Sequence, residues 1–437
     1  MSVSEWNKAC HRISKSIINM YKLFLLLLPI IYVFTGCDNK TSDNKQTYQQ
    51  KVEKSAANND KKISKPENDV KIWMPYSQTL DKAIKSGLLW LARHQNPDGS
   101  WGARSFQNQC KNTRCSGVGD KQFDIGLTGL GLLAFTRQGY TIHSRDVYGG
   151  INFGEVVSKS AHYLINNQLS DGTFGGVKEG KFMYNQAVAT YALADLYSLT
   201  CNAPHGVIFK EPVERAVKYL LENQNPNKGW RYQPKDGQND SSVTGWVMLA
   251  LDAVKHADIL IPPEVFIDIK SFYDDVTNPA SGQVGYTRLG GNSLQGYEDT
   301  RGWVVQPTPT AIGIMVRILI DLKTSDPLIK LGVEQLSASL PAWDTSKTGV
   351  IDYAYWFFGS CCLNQYDGPS GPMNKAWQEK VKKALLPNQR TDKDGCSAGS
   401  WDAIDRWSSE GSRVYSTAIN ISTVQVYYYF GIENSGK

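Results

Sequence analysis

Four times along this chain a glutamine is followed by a glycine turn that ends on an aromatic ring. The first copy runs Lys85-Ser86-Gly87-Leu88-Leu89-Trp90-Leu91 to Gln95, then Asp98-Gly99-Ser100-Trp101. The second has Tyr163-Leu164, Gln168 and Asp171-Gly172-Thr173-Phe174, and the third Tyr219-Leu220, Gln224 and Gly229-Trp230. A looser fourth copy has Leu385-Leu386, Gln389 and Gly399-Ser400-Trp401. Trp90 and Leu91 fall on one helical face with the apolar residues before them. Each copy therefore reads as the C-terminal end of a helix. The Gln meets the last unpaired carbonyls or the amides of the turn, glycine supplies backbone freedom, and the ring folds back over it. On this reading Gln95, Gly99, Trp101, Gln168, Gly172, Phe174, Gln224, Gly229, Trp230, Gln389, Gly399 and Trp401 are scaffold.

Between the clips lie more continuously apolar stretches, as expected of helices buried on more than one side. They are Phe123–Gln138, Tyr184–Leu199, Ser241–His256, Pro309–Leu322, Ile351–Leu363 and Val414–Tyr429. A more amphipathic helix precedes each: Gln78–His94, Gly154–Asn167, Pro212–Asn223, Pro263–Asp274, Pro327–Leu340 and Met373–Leu386. Pro212, Pro263 and Pro327 sit where a first-turn proline is tolerated. The six pairs predict an all-α ring of six inner and six outer helices, an (α/α)6 toroid over residues 73–437. A closed ring leaves no end repeat in need of a cap.

The N-terminus has a different character. Lys8, Arg12, Lys15 and Lys22 lead into an apolar run from Leu23 to Phe34, ending Phe34-Thr35-Gly36-Cys37. About a dozen apolar residues suit a signal-peptide core and fall short of the ~20 of a spanning helix. Residues 1–36 are thus expected to be a lipoprotein-type signal and Cys37 the lipidated first residue of the mature chain, although Phe34 replaces the usual Leu. The competing reading is an uncleaved signal anchor. Residues 37–72, rich in Lys, Asn, Asp, Ser and Gln, read as a disordered tether. The body is then held at the membrane surface in the bacterial cell envelope, outside the cytoplasm. Export leaves Cys110, Cys115, Cys201, Cys361, Cys362 and Cys396, an even set that permits disulfides. Cys110 and Cys115 flank a short polar loop and form the preferred pair. Zinc has no Cys-x-x-Cys pair or nearby His in its support, so neither metal nor other cofactor is expected. The net charge of +5 is spread without a dense basic run, which argues against nucleic acid as partner.

From Thr79 to Phe430 the chain resembles the terpenoid-cyclase and protein-prenyltransferase superfamily. Gly87 through Trp101 is similar to the repeat of squalene and hopene cyclases. Asn239-Asp240-Ser241-Ser242-Val243-Thr244-Gly245-Trp246 and Gly411-Ser412-Arg413-Val414-Tyr415 resemble bacterial prenyltransferase and squalene oxidase repeat proteins of undefined activity. The resemblance implies an α/α toroid with a cavity lined by the N-terminal ends of the inner helices. It carries little chemistry with it. The cyclase acid motif Asp-x-Asp-Asp-Thr-Ala corresponds to Asp240 through Gly245, where only Asp240 and Thr244 are kept. Asp240 is the one candidate acid, and an N-cap for the helix beginning there is the simpler role. The Asp, Cys and His zinc ligands of prenyltransferases are not matched, nor is the thioester motif of complement-like toroids. Asp274-Asp275 lacks the spaced acidic partners of a diphosphate site.

Polar and aromatic residues nevertheless gather where inner helices should begin: Asp124, Tyr184, Asn185, Arg231, Tyr232, Trp246, Asp299, Arg301, Trp303, Asp352, Tyr353, Trp356, Asp402, Arg413 and Tyr415. Converging on one mouth, they would suit an apolar or sugar ligand. Alternatively Arg231, Arg301 and Arg413 pair with Asp240, Asp299 and Asp402 to tie loops, and the aromatic residues are core. Three functions fit: a protein holding an isoprenoid or other extended apolar ligand, a non-catalytic binding or scaffold module, and a glycan-active hydrolase or lyase with paired carboxylates.

Overall fold

The computed structural model describes residues 77–428 except 179, 204, 227 and 291–306. The signal, Cys37 and the tether lie outside the described residues, as do Asp299, Arg301 and Trp303. The outer helices are α1 (Ser77–Arg93), α3 (Phe153–Asn166), α5 (Lys210–Glu222), α7 (Pro263–Val276), α9 (Pro327–Ala338) and α11 (Pro372–Leu385). The inner helices are α2 (Asp124–Thr136), α4 (Phe182–Thr200), α6 (Ser241–His256), α8 (Thr308–Asp321), α10 (Tyr353–Asp367) and α12 (Ser408–Tyr428). Each inner helix packs on the next and α12 packs on α2, so the ring closes. It is an α/α toroid. A two-residue antiparallel ladder, β1 (Val147–Tyr148) with β2 (Ile151–Asn152), is a small addition that the sequence pattern does not announce.

The outer helices are not paired as their order suggests. α3, α5, α9 and α11 each pack on the inner helix that precedes them, and α1 packs on α12; α7 packs on the following α8. Hydrophobic patterning explains the two layers. In α4 nearly every residue from Phe182 to Thr200 is buried, and α6 is buried from Ser241 to Leu251. α5 buries one stripe, Val213, Ala216, Val217 and Leu220, and shows solvent its charged face.

The clips work differently from the simple capping expected of them. Gln95 Nε2 donates to the Gly99 carbonyl in its own turn at 3.0 Å and to the Val156 carbonyl of α3 at 3.0 Å. Gln168 likewise reaches Pro212 of α5 at 2.8 Å, and Gln224 reaches Val265 of α7 at 3.5 Å. Gln389 donates to Gly399 and to Ala83 of α1, both at 2.8 Å, which joins the last turn to the first helix. The Gln therefore links neighbouring outer helices. Capping falls to the Trp: Trp101, Trp230 and Trp401 donate Nε1–H to the carbonyls of Leu91, Leu220 and Leu385 at 2.8–2.9 Å. Their backbone amides donate in turn to Thr128, Thr244 and Thr417 on the inner helices. Thr244, a kept residue of the cyclase-like motif, is thus part of a clip.

Candidate functional site

Outer and inner helices alternate in direction, so the six inner N-termini share one face of the ring. Asp240 lies there, fully buried, its Oδ1 accepting the amides of Ser242 at 2.9 Å and Val243 at 2.7 Å. It is the N-cap of α6, as the sequence suggested. Its Oδ2 lies 3.8 Å from Arg231 Nε, and burial pushes its carboxyl up to about 6 against those hydrogen bonds. Ser242 Oγ donates to Asp240 Oδ1 at 3.0 Å and meets the Tyr184 hydroxyl on its other side. The Tyr232 hydroxyl meets that of Tyr286 at 2.7 Å, and the Arg231 guanidinium lies over the Tyr232 ring at 4.9 Å. A surface pocket of about 630 Å³ opens beside Tyr232, between Lys178, Gln233 and Gln238.

Two further carboxyls, Asp352 and Asp405, sit at the starts of α10 and α12. Asp352 caps α10 through the Tyr355 amide at 2.9 Å, accepts from Trp407 Nε1 at 3.2 Å and lies 3.7 Å from Arg406 Nε. Asp405 accepts the Tyr353 amide at 3.1 Å and the Tyr415 hydroxyl at 3.3 Å, and it accepts from Ser408 Oγ at 2.5 Å. Burial, and then the charge of Asp352, push Asp405 up to about 7. Tyr184 and Tyr415 each keep some exposure, with their hydroxyls engaged by Ser242 and Asp405. The Lys181–Glu410 ion pair, at 2.5 Å, bridges the starts of α4 and α12, and Lys181 also lies over Tyr232 at 5.5 Å. Two phenols thus face the mouth with a proton-holding carboxyl behind each, Tyr415 directly and Tyr184 through Ser242.

Below the mouth, contacts cross the axis. Trp246 of α6 stacks on Phe357 of α10 at 5.9 Å, and Arg137 at the end of α2 lies over the same Phe357 ring at 5.5 Å. These helices are not neighbours in the ring, so the side chains meet at its centre. Trp246, Leu249 and Ala253 share that face of α6 and each keep 8% exposure, whereas Val247, Met248, Ala250 and Leu251 have none. Leu127 and Leu130 on α2, and Val188 and Tyr191 on α4, repeat the pattern. The small residual exposure of this stripe, beside the Trp246–Phe357 contact, marks an apolar lining at the axis.

Other candidates do not enter this space. Asp124 braces the loop before it by accepting the Ala103 amide at 2.7 Å, and Asn185 accepts the Gly126 amide and donates to the Gln122 carbonyl. Arg413 donates to Ser116 and Ser400 and pairs with Asp402 at 2.7 Å; Arg390 holds Asp402 from the other side. Burial opposes the charge on Asp402, yet these two arginines hold it below the usual range. The Tyr353 hydroxyl donates to the Asp402 carbonyl, and Trp356 is wholly buried against Tyr353 and Trp343. These are loop ties and core, because their polar atoms are already used or their rings already covered. Asp405, Arg406, Trp407 and Arg137 were not singled out in the sequence. The Asp405-x-x-Ser408 cap spacing was the available signal for the first three; nothing local marks Arg137 as axial. Cys110 and Cys115 do not form the expected bridge: both are free thiols.

No family model matches the chain. Among solved structures, the alpha-1,6-mannanase GH76A of Salegentibacter sp. HEL1_6, as an inactive variant with alpha-1,6-mannotriose, is similar over 80% of this chain and 99% of its own. The identity is 12% and the TM-score 0.53. The type II terpene cyclase MstE from Scytonema is similar over 83% of this chain and 99% of its own, with 13% identity and a TM-score of 0.48. At 12% identity the likeness to the mannanase concerns the path of the chain alone, and with the closed double ring of helices it gives this protein the α/α toroid fold.

Proposed function

We propose that this toroid is exported, tethered through Cys37, and holds an extended apolar molecule of the isoprenoid type along its axis. The observation that carries the reading is the inward stripe of Trp246, Leu249, Val188, Tyr191 and Leu130, apolar and still in contact with solvent. One end of such a ligand meets the tyrosines of the mouth. There Asp405, its carboxyl pushed up to about 7, accepts the Tyr415 hydroxyl, so the pair can take a proton from a polar end group of the ligand and return it. The apolar run before Cys37 supports export and lipidation.

Mass spectrometry of the natively extracted protein tests the binding step, together with titration by a fluorescent polyprenyl alcohol. We expect a co-purifying lipid, and polyprenyl binding at least about tenfold weaker in Leu249→Arg. A wild-type protein that carries nothing and binds no polyprenyl chain would sink the reading. Asp405→Asn should still bind but should release no altered product. If the wild-type protein also returns its ligand unchanged, it is a binding module.

A glycan is the second reading, favoured by the Asp352 and Asp405 carboxyls with Trp407 alongside. The mannanase of the same fold was solved with a mannan fragment. It ranks second because Asp352 is already spent on the α10 cap and on Trp407. Release of reducing sugar from alpha-1,6-mannan would promote it.

A further inference from the structure

Four side chains from distant parts of the chain meet at the seam where the ring closes. His94 follows α1, Cys110 and Cys115 border the loop after the first clip, and Cys396 lies within the last clip, between Gln389 and Gly399. Their ligating atoms all lie within 4.8 Å of one another. The three sulfurs stand 3.7, 3.5 and 3.3 Å from His94 Nε2. In a tetrahedral zinc site, bonds of about 2.3 Å to sulfur and 2.0 Å to nitrogen put neighbouring ligands about 3.6 Å apart.

We infer that this cluster is a structural zinc site of the Cys3His type. The groups around it are those such a site needs. His94 Nδ1 is hydrogen-bonded to the Trp90 carbonyl at 2.8 Å, which places the proton there and leaves the Nε2 lone pair aimed at the sulfurs. Cys110 Sγ accepts the Cys115 amide at 3.3 Å, and Cys396 Sγ accepts the Lys111 amide at 3.3 Å. Cys115 Sγ accepts from Ser397 Oγ at 3.6 Å. Every ligand thus has an outer partner that favours the thiolate or fixes the ring. Ligand atoms this close leave room for one ion, and four protein ligands leave no open coordination position. Soft thiolates with one imidazole select zinc over calcium or magnesium. The bound ion replaces the thiol protons, which leave to solvent, and no redox step is needed.

None of its four ligands belongs to the mouth, so it stands or falls independently of the proposed ligand. Its work is to clamp the first hairpin to the last clip, across about 300 residues of chain, where Gln389 also reaches α1. Zinc measured on the full chain, purified without reductant and dialysed against zinc-free buffer, tests it beside alkylation and intact mass. We expect about one zinc per chain, and three cysteines alkylated only after denaturation with a chelator. Cobalt in place of zinc should give the absorption of a tetrahedral thiolate complex. Cys396→Ser should drop the zinc content about tenfold, and chelation of the unaltered protein should lower its Tm and speed amide exchange around residues 94–116 and 390–400. A metal-free protein with two of these cysteines joined in a disulfide would overturn the inference. So would cobalt that binds without the thiolate signature.

Discussion

At the residue scale the acids of the mouth make the stability depend on pH. Asp405 holds its proton up to about 7 because burial and then the charge of Asp352 oppose ionisation. In the unfolded chain an aspartate ionises near about 4. Between those values the folded state binds more protons than the unfolded one, so stability falls as pH rises. The contribution is complete below pH ~4 and is lost as pH climbs through about 7. Asp240, at about 6, acts in the same sense. Over roughly three units the loss is on the order of 3–4 kcal/mol for Asp405. Asp405→Asn should flatten the fall in Tm between pH 5 and 8 and melt above the wild type at pH 8. Melting curves across that range check it; unchanged curves would mean that Asp405 ionises normally. This chemistry was only partly legible in the sequence. Asp240 was visible as a cap because capping is local. Asp405 owes its behaviour to burial and to Asp352, which only the ring brings beside it.

At the scale of elements, the clips were legible because they repeat. What the repeat hid was the second bond of each Gln, which runs to a different helix. The glycines show how tightly that joint is built. Gly399 has φ +93°, and a Cβ there would stand 2.2 Å from the Ser86 carbonyl oxygen of α1; Gly99 meets Lys159 of α3 in the same way. Gly237 also has positive φ, +72°, but nothing lies within 4 Å of an added Cβ. Gly237→Ala should therefore cost only the left-handed backbone, about 1 kcal/mol. Gly399→Ala adds a backbone clash that a flexible side chain cannot relieve, for a total above about 3 kcal/mol. Urea unfolding of the two variants side by side distinguishes them, and equal losses would mean that the clip does not press on α1.

Whole-molecule closure was legible as well: six apolar and six amphipathic helices have no capped end, so a ring was expected, and a ring is found. The residues that seal it were not legible, because His94 and Cys396 are 302 positions apart and no spacing rule joins them. The same closure sets how the protein should respond to truncation. In an open solenoid an end helix can be lost while the remaining repeats stand, since each touches only its neighbours. Here α1 lies on α12, with Gly87 against Ile421 and the Tyr428 hydroxyl on Asp81. Leu80, Ile84, Leu88 and Leu91 are buried on one face of α1. At about 1.5–3 kcal/mol each they sum to roughly 6–12 kcal/mol. That rivals the 5–15 kcal/mol by which a domain of ordinary size is stable. A chain begun at residue 92 keeps the four residues of the His/Cys set but removes nearly all of α1, including the Trp90 carbonyl that orients His94. It should lose the single cooperative transition of the whole ring, with α12 open to protease. If it instead unfolds cooperatively within a few degrees of the full protein, the inner ring stands without its seal and the toroid is mechanically an open array.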